Sequence, residues 1–257
     1  MVYNRGAKVK SGIFRSDLMS LCKFAIDFDN SPAQFKKPDV YGIKTNPIRE
    51  IAFEVPKNAG QRWLTEDEIY TLWHSKDLPK MTSLYYRLAI ALAGQRVCEL
   101  YHAKLDEFNL EENIFTIPVE RIKIKKRGEH LVPISPLAIP LLKELAITRN
   151  KAGHLWPHRD KPLECAHVST IRMSLQRWCT KNKMDKFAPR DMRRTCKTLM
   201  GKAGISKERR DLLQQHSKSD VSSIHYDRYD YMKEKKQAMD EWTAYLKTIL
   251  NLEPIIK

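Results

Sequence analysis

Between residues 106 and 135 the chain changes its hydrophobic period, and afterwards it changes back. Within that stretch, FNLEENIFTIPVERIKIKKRGEHLVPIS is rich in Ile, Val and Phe, with breaks at Glu112-Asn113 and at Arg127-Gly128. Runs of β-branched and aromatic residues separated by turn dipeptides read as three short strands of one antiparallel sheet. On either side the apolar residues recur three and four positions apart, which is the spacing of one helix face. That spacing predicts helices over 81–93, 137–148, 168–182, 191–203, 206–215 and 233–250, with a short one through RVCELYHAKL. One β island in a helical chain implies a mainly α fold with a small antiparallel β-sheet, an α+β arrangement.

Upstream, SGIFRSDLMSLCKFAIDF (11–28) carries Phe14, Leu18, Leu21, Cys22 and Ala25 at helical spacing. Residues 29–47 contain Pro32, Pro38 and Pro47 and read as irregular. Together, residues 1–47 form a partial helical segment, and 48–63 read as a linker containing Pro56 and Gly60. A new start signal follows. Thr65 and Glu68 have the spacing of a capping box, and Leu64 with Ile69 have that of a hydrophobic staple. A compact domain over 64–257 therefore begins here. Its last helix, 233–250, places Met239, Trp242, Tyr245, Leu246, Ile249 and Leu250 on one stripe. Packing on its own domain and docking on a neighbouring subunit both fit that stripe.

Charge narrows the class of partner. Forty-six Lys and Arg against thirty-one Asp and Glu give a net charge of +15. Such an excess favours a polyanion, nucleic acid foremost, over a merely solvated surface. No apolar run reaches the ~18 residues of a membrane span, and no membrane partner is expected. The five cysteines (Cys22, Cys98, Cys165, Cys179 and Cys196) are odd in number and form no C-x-x-C pair. That argues against a disulfide framework and for a reducing cytoplasm. The eight histidines lack ligand spacing, so no metal and no cofactor is expected.

Four separated features carry candidate chemistry. Arg96 follows a helix-ending glycine in AGQRVCEL and precedes Glu99. Lys123 lies in the strand-rich RIKIKKRGEHLVPIS, where Lys125 is a rival for any role as a proton donor. Arg190 and Arg193 lie in FAPRDMRRTCKTLMGKAG, with Arg193 at a helix start. His216 precedes Tyr226 by ten residues, and Tyr229 and Tyr231 follow in DVSSIHYDRYDY. Each has an ordinary structural alternative: an Arg96–Glu99 ion pair, a solvated basic hairpin tip, a helix C-terminus at His216, half-buried tyrosine rings. Cys196, beside the arginines, reads as a buried thiol, since no histidine stands near it in sequence.

In this order and spacing the four features resemble the tyrosine recombinase (phage integrase) family, especially the integrases of satellite phages and genomic islands. The resemblance covers residues 61–240 and rests on G-x-R-x-x-E-L, R-x-K before VP-x-S, an R-x-x-R box followed by R-T, and a histidine before HYDR. It implies a site-specific DNA recombinase that cleaves strands through a 3′-phosphotyrosyl intermediate and integrates or excises a mobile element. Tyr226 would attack the phosphate, Arg96 and Arg193 would bind its oxygens, Lys123 would protonate the leaving 5′ oxygen, and His216 would hydrogen-bond the phosphate or Tyr226. The chemistry suits the residue types. Arginine forks bind phosphate bidentately and stay charged, and a tyrosine hydroxyl (pKa ~10) loses its proton far more readily than serine. The implied partners are double-stranded DNA attachment sites, a homotetramer on DNA formed from free monomers, and DNA-bending accessory proteins.

Three departures stand out. Arg190 takes the place of the box's usual histidine, keeping its charge and losing its acid–base capacity. The interval from His216 to Tyr226 is one residue longer than the family's common spacing. Only about sixty residues precede Thr65, fewer than the family's usual core-binding and arm-binding domains, so a shortened integrase is expected. The rival readings are a DNA-binding regulator that no longer cleaves and a type IB topoisomerase-like activity.

Overall fold

The computed structural model describes residues 6–34, 37–53, 60–122, 128–216 and 229–252. The chain divides into two compact units, Met1–Gln61 and Arg62–Lys257.

In the first unit, helix α1 (Lys8–Asp29) extends past both ends of the span read from periodicity. It closes where the Asn30 side chain donates to the carbonyl of Ile26 at 2.8 Å. The Asp29 carboxylate then accepts the backbone N–H groups of Val40, Tyr41 and Gly42, folding the following segment back on the helix end. Phe28 meets Tyr41 edge-on, with ring centres 5.6 Å apart.

The second unit opens with α2 (Glu66–His74). Its capping box is complete: Thr65 N–H donates to the Glu68 carboxylate at 2.8 Å, and Glu68 N–H to the Thr65 hydroxyl at 3.3 Å. Leu64 and Ile69 flank the box and are fully buried. Helix α3 (Lys80–Ala91) is the centre of the unit. From Thr82 to Ala91 every side chain but that of Arg87 is buried, as a helix enclosed by others requires. It packs against α5 (Ala138–Thr148), α6 (Ser169–Lys181) and α7 (Pro189–Lys202), as well as α2.

The three strands β1 (Phe108–Asn109), β2 (Ile114–Ile117) and β3 (His130–Pro133) form one antiparallel sheet in sequence order. The register pairs Phe115 with Val132 and Ile117 with His130. Inward-facing Phe108 and Phe115 stack with ring centres 4.1 Å apart. Beyond β2, Arg121 forms a bidentate pair with Glu107 and donates to the His102 carbonyl at 3.2 Å. This ties the strand connection to the end of α4 (Val97–Tyr101). Lys123 and its rival Lys125 lie outside the described residues.

The final helix, α9 (Met232–Ile249), follows α8 (Lys207–Leu213) and packs on its own unit. Ala238, Met239, Trp242 and Leu246 are buried, and the Trp242 indole donates to the Ile90 carbonyl of α3 at 2.9 Å. Among the described residues no helix is long and apolar enough to cross a membrane.

Candidate active site

Two helix ends and one helix start build the site. Helix α3 stops in a left-handed turn: Ala93 N–H bonds to Ile90 O at 3.0 Å and Gly94 N–H to Ala89 O at 2.8 Å. This is a Schellman closure with Ala93, at φ +56°, in the left-handed position. Gly94 lies one residue further, and it too has a positive φ, +75°. A Cβ there would come 2.8 Å from the Arg193 Cα, so Gly94 is what lets the end of α3 meet α7. Arg96 follows as the residue before α4.

Helix α7 begins at Pro189, two residues earlier than periodicity predicted. Proline suits the first helical position, where its missing N–H has no helical partner. The Asp191 carboxylate accepts the Ala188 N–H at 2.8 Å and holds that start in place. Arg190 thus lies in the first turn, exposed, and its side chain has no hydrogen-bond or ionic partner among the described residues. Arg193 lies a turn further in.

Helix α8 ends like α3. Gln215 takes the left-handed position at φ +47°, and its N–H bonds to Leu212 O at 3.3 Å. His216 N–H bonds to Asp211 O at 2.9 Å. The main chain of His216 therefore closes a helix C-terminus while its ring is presented to Arg193.

All three groups converge on the Gln214–His216 turn. Arg193 donates through Nε to His216 Nε2 at 3.2 Å, through Nη1 to Gly94 O at 3.2 Å, and through Nη2 to Gln214 O. Arg96 donates from Nη1 to Glu99 at 2.7 Å and to the Gln215 amide oxygen at 3.3 Å, and from Nη2 to Gln215 O at 3.1 Å. The Arg96–Glu99 pair is thus present, and it holds the guanidinium against the turn rather than away from it. A guanidinium has five N–H donors. Both arginines keep donors with no partner among the described residues. Burial, and then the positive charge of Arg96, push the Arg193 guanidinium down to about 10. It stays protonated at neutral pH, and two cations held this close favour an anion between them.

Burial pushes His216 down to about 4, helped by Arg193 and Lys197. His130 on β3 is buried, donates through Nε2 to Leu213 O at 3.1 Å, and is pushed down to about 3 chiefly by burial. Both imidazoles bind a proton more weakly in the folded chain than in the unfolded one, so the unfolded chain takes up protons first as pH falls. Stability from these groups is complete above about pH 6.5 and is lost as pH drops toward 4 for His216 and toward 3 for His130. Urea midpoints should therefore fall between pH 6.5 and 4.5, and less steeply in His130→Gln, which keeps a donor for Leu213 O but cannot titrate. Equal slopes would exclude His130 as a source of the acid sensitivity.

The family model for the phage integrases matches residues 62–231, which contain every group named above. The chain belongs to the phage integrase family. It is thus a tyrosine recombinase, as its motifs suggested. It is 24% identical over 216 residues to prophage integrase IntZ of Escherichia coli K12, covering 81% of this chain and 51% of that protein. It is 25% identical over 180 residues to the integrase of enterobacteria phage P4, covering 65% and 40% of the two chains. The chain spans about half the length of the curated relatives it matches. Among solved structures, a lambda integrase dimer bound to a core site superposes with TM-score 0.59 at 18% identity, covering 89% of this chain and 78% of that one. The XerH recombinase bound to difH gives 0.60 at 19%, covering 87% and 63%. At these identities the likeness speaks for the fold.

Of the integrase motif residues, Arg96, Arg193 and His216 are brought together, and Arg190 stands on the same helix as Arg193. Tyr226, like Lys123, lies outside the described residues. Cys196 is fully buried and its thiol is raised to about 12, so it is no nucleophile. Four supporting residues escaped the sequence reading. Gln214 is buried and donates to Ala93 O at 2.8 Å and Arg193 O at 2.9 Å, stitching the three elements together. His130 props α8 from the sheet. Lys197 and Asp211 flank the His216 ring. Lys197 could have been found as the residue one turn beyond Arg193 on the same face.

Proposed function

We propose that the chain is a site-specific DNA recombinase that cleaves and rejoins strands through a 3′-phosphotyrosyl intermediate, integrating or excising a mobile element. The observation that carries this reading is the pair of guanidiniums, Arg96 and Arg193, aimed at one turn and keeping donors to spare. A phosphodiester under attack gathers charge on its nonbridging oxygens, and fixed arginines meet that charge without reorganising. They supply what a metal ion supplies in other phosphoryl transferases. Tyr226, ten residues beyond His216, is the nucleophile, and Lys123, between β2 and β3 in sequence, protonates the leaving 5′ oxygen. Arg190 adds charge at the first turn of α7.

The solved relatives include a lambda integrase dimer on a core site and a lambda integrase tetramer bound to a Holliday junction. By extension, this chain acts on paired double-stranded attachment sites as a homotetramer assembled from monomers, with DNA-bending proteins assisting, in the bacterial cytoplasm. Residues 1–47 contribute to core-DNA binding, joined through 48–63 to the catalytic domain at 64–257.

Nicked duplexes carrying the element's attachment site should trap a covalent protein–DNA adduct that survives denaturation. Specific binding with no adduct would replace this reading with that of a regulator. Relaxation of any supercoiled plasmid by monomer would replace it with a topoisomerase. Binding should also weaken steeply with salt, because each neutralised phosphate releases counterions. Arg190→Ala should lower the slope of log K against log salt by about 1 and weaken all sequences alike. An unchanged slope would remove Arg190 from the phosphate contacts.

A further inference from the structure

His216 has two ring nitrogens, and the structure gives each a different neighbour. Nε2 faces Arg193 Nε at 3.2 Å. Nδ1 faces Asp211 Oδ1 at 3.3 Å and Lys197 Nζ at 2.8 Å. Lys197 also donates to that same Asp211 oxygen. Among the described residues, the charged groups that act on the ring are Arg193 and Lys197 from α7 and Asp211 from α8.

A neutral imidazole has one N–H and one lone pair. Arg193 Nε and Lys197 Nζ can both only donate, and among the described residues the one acceptor beside either ring nitrogen is Asp211 Oδ1, at Nδ1, which leaves Nε2 as the lone-pair nitrogen. The proton is then on Nδ1, facing the Asp211 carboxylate. Lys197 fits the same assignment by donating a hydrogen bond to Asp211. Its nearness to Nδ1 creates a rival: without the carboxylate, Lys197 would donate to Nδ1 and move the ring proton to Nε2. Asp211 also fixes the ring through the backbone, since its carbonyl accepts the His216 N–H.

We propose that Asp211, seated on Lys197, is a positioning residue that holds His216 with a bare Nε2, making His216 the proton acceptor for the attacking tyrosine rather than a donor to the phosphate. This rests on the phosphotyrosyl reading above and decides between the two roles His216 could have in it. A phosphate that draws the Arg193 fork frees the Nε2 lone pair at the reacting centre. The Tyr226 hydroxyl proton then passes to Nε2, the phenolic oxygen bonds to phosphorus, the bond from phosphorus to the 5′ oxygen breaks, and that oxygen takes a proton from Lys123. The imidazolium so formed is stabilised by the Asp211 carboxylate, as in other carboxylate–histidine pairs. Rejoining returns each proton. The arrangement gives this chain an acid–base group although Arg190 fills the box position.

The test has two arms. In the free protein, ¹⁵N shifts of the His216 ring should show Nδ1 protonated and Nε2 bare between pH 5 and 8. Asp211→Asn, nearly isosteric, and Asp211→Ala should both move the proton to Nε2. A wild-type ring already protonated at Nε2 would overturn the proposal. In single-turnover cleavage of nicked duplex, both variants should lose ~10²-fold or more in rate, the scale of a lost general base, while DNA affinity stays within about twofold. The deficit should shrink as pH rises toward ~10, where tyrosine ionises unaided. A deficit equal at every pH, or none, would contradict the assignment. If the wild type forms no adduct, the phosphotyrosyl reading fails, and the ring shifts still decide whether Asp211 sets the tautomer.

Discussion

Arg193→Ala is expected to slow strand cleavage by ~10³-fold or more, the scale set by arginines that neutralise phosphoryl-transfer charge. The reason is geometric as well as electrostatic. Arg193 spends one donor on each of His216, Gly94 O and Gln214 O and keeps two N–H groups with no described partner. Removing it takes away the donors left over for a phosphate and also the strut between the α3 end and the α8 end. Two carbonyls are left without their donor, so a stability loss of about 2 kcal/mol should accompany the kinetic one. Arg193→Lys should recover little of the rate, because one ammonium on a flexible stem cannot serve three acceptors and a phosphate in a fixed plane. Single-turnover cleavage and a urea midpoint separate the two effects. Lysine restoring more than a tenth of the rate would show that charge alone suffices.

Gly94→Ala should be among the most destabilising single substitutions in the catalytic unit. Two costs add. A non-glycine residue at φ +75° costs roughly 1 kcal/mol. The new Cβ would also meet the Arg193 Cα at 2.8 Å, Cys196 Cβ at 3.0 Å and Gln214 Nε2 at 3.1 Å. Main chain cannot swing aside as a flexible side chain can, so α3 and α7 must part, at about 1–3 kcal/mol more. The total is about 2–4 kcal/mol, with cleavage falling too as Arg193 shifts. Gly204→Ala separates the costs. Gly204 has φ +82°, but a Cβ added there would meet nothing within 4 Å, so it should lose only about 1 kcal/mol. Equal losses at the two glycines would mean that close packing at Gly94 is unimportant.

The elements that were legible in the sequence are those whose cause is local. The capping box at Thr65 and Glu68 requires only a fixed spacing, and the β island requires only a run of Ile, Val and Phe broken by turn pairs. Helix boundaries failed where a neighbour or an unusual residue decided them. Helix α3 stops at Ala91 rather than 93 because the left-handed turn already begins at Ala93, one residue ahead of Gly94. Helix α8 stops at Leu213 because Gln215 does the same, and neither residue type announces it. The motif order pointed to Arg96, Arg193 and His216, and the fold brings them together. What could not be read were the links between distant segments, such as His130 to Leu213 or Gln214 to Ala93, since hydrogen bonds from side chain to backbone leave no periodic trace. Lys197 and Asp211 looked like ordinary members of a basic helix and its successor.

A single tyrosine, Tyr226, should carry the DNA. The direct measurement is to trap the adduct on a nicked attachment-site duplex, digest protein and DNA, and identify by mass spectrometry the residue that bears the nucleotide. The expected result is a 3′-phosphonucleotide on Tyr226 and no adduct in Tyr226→Phe. A nucleotide on Tyr229 or Tyr231, or an adduct that persists in Tyr226→Phe, would contradict it.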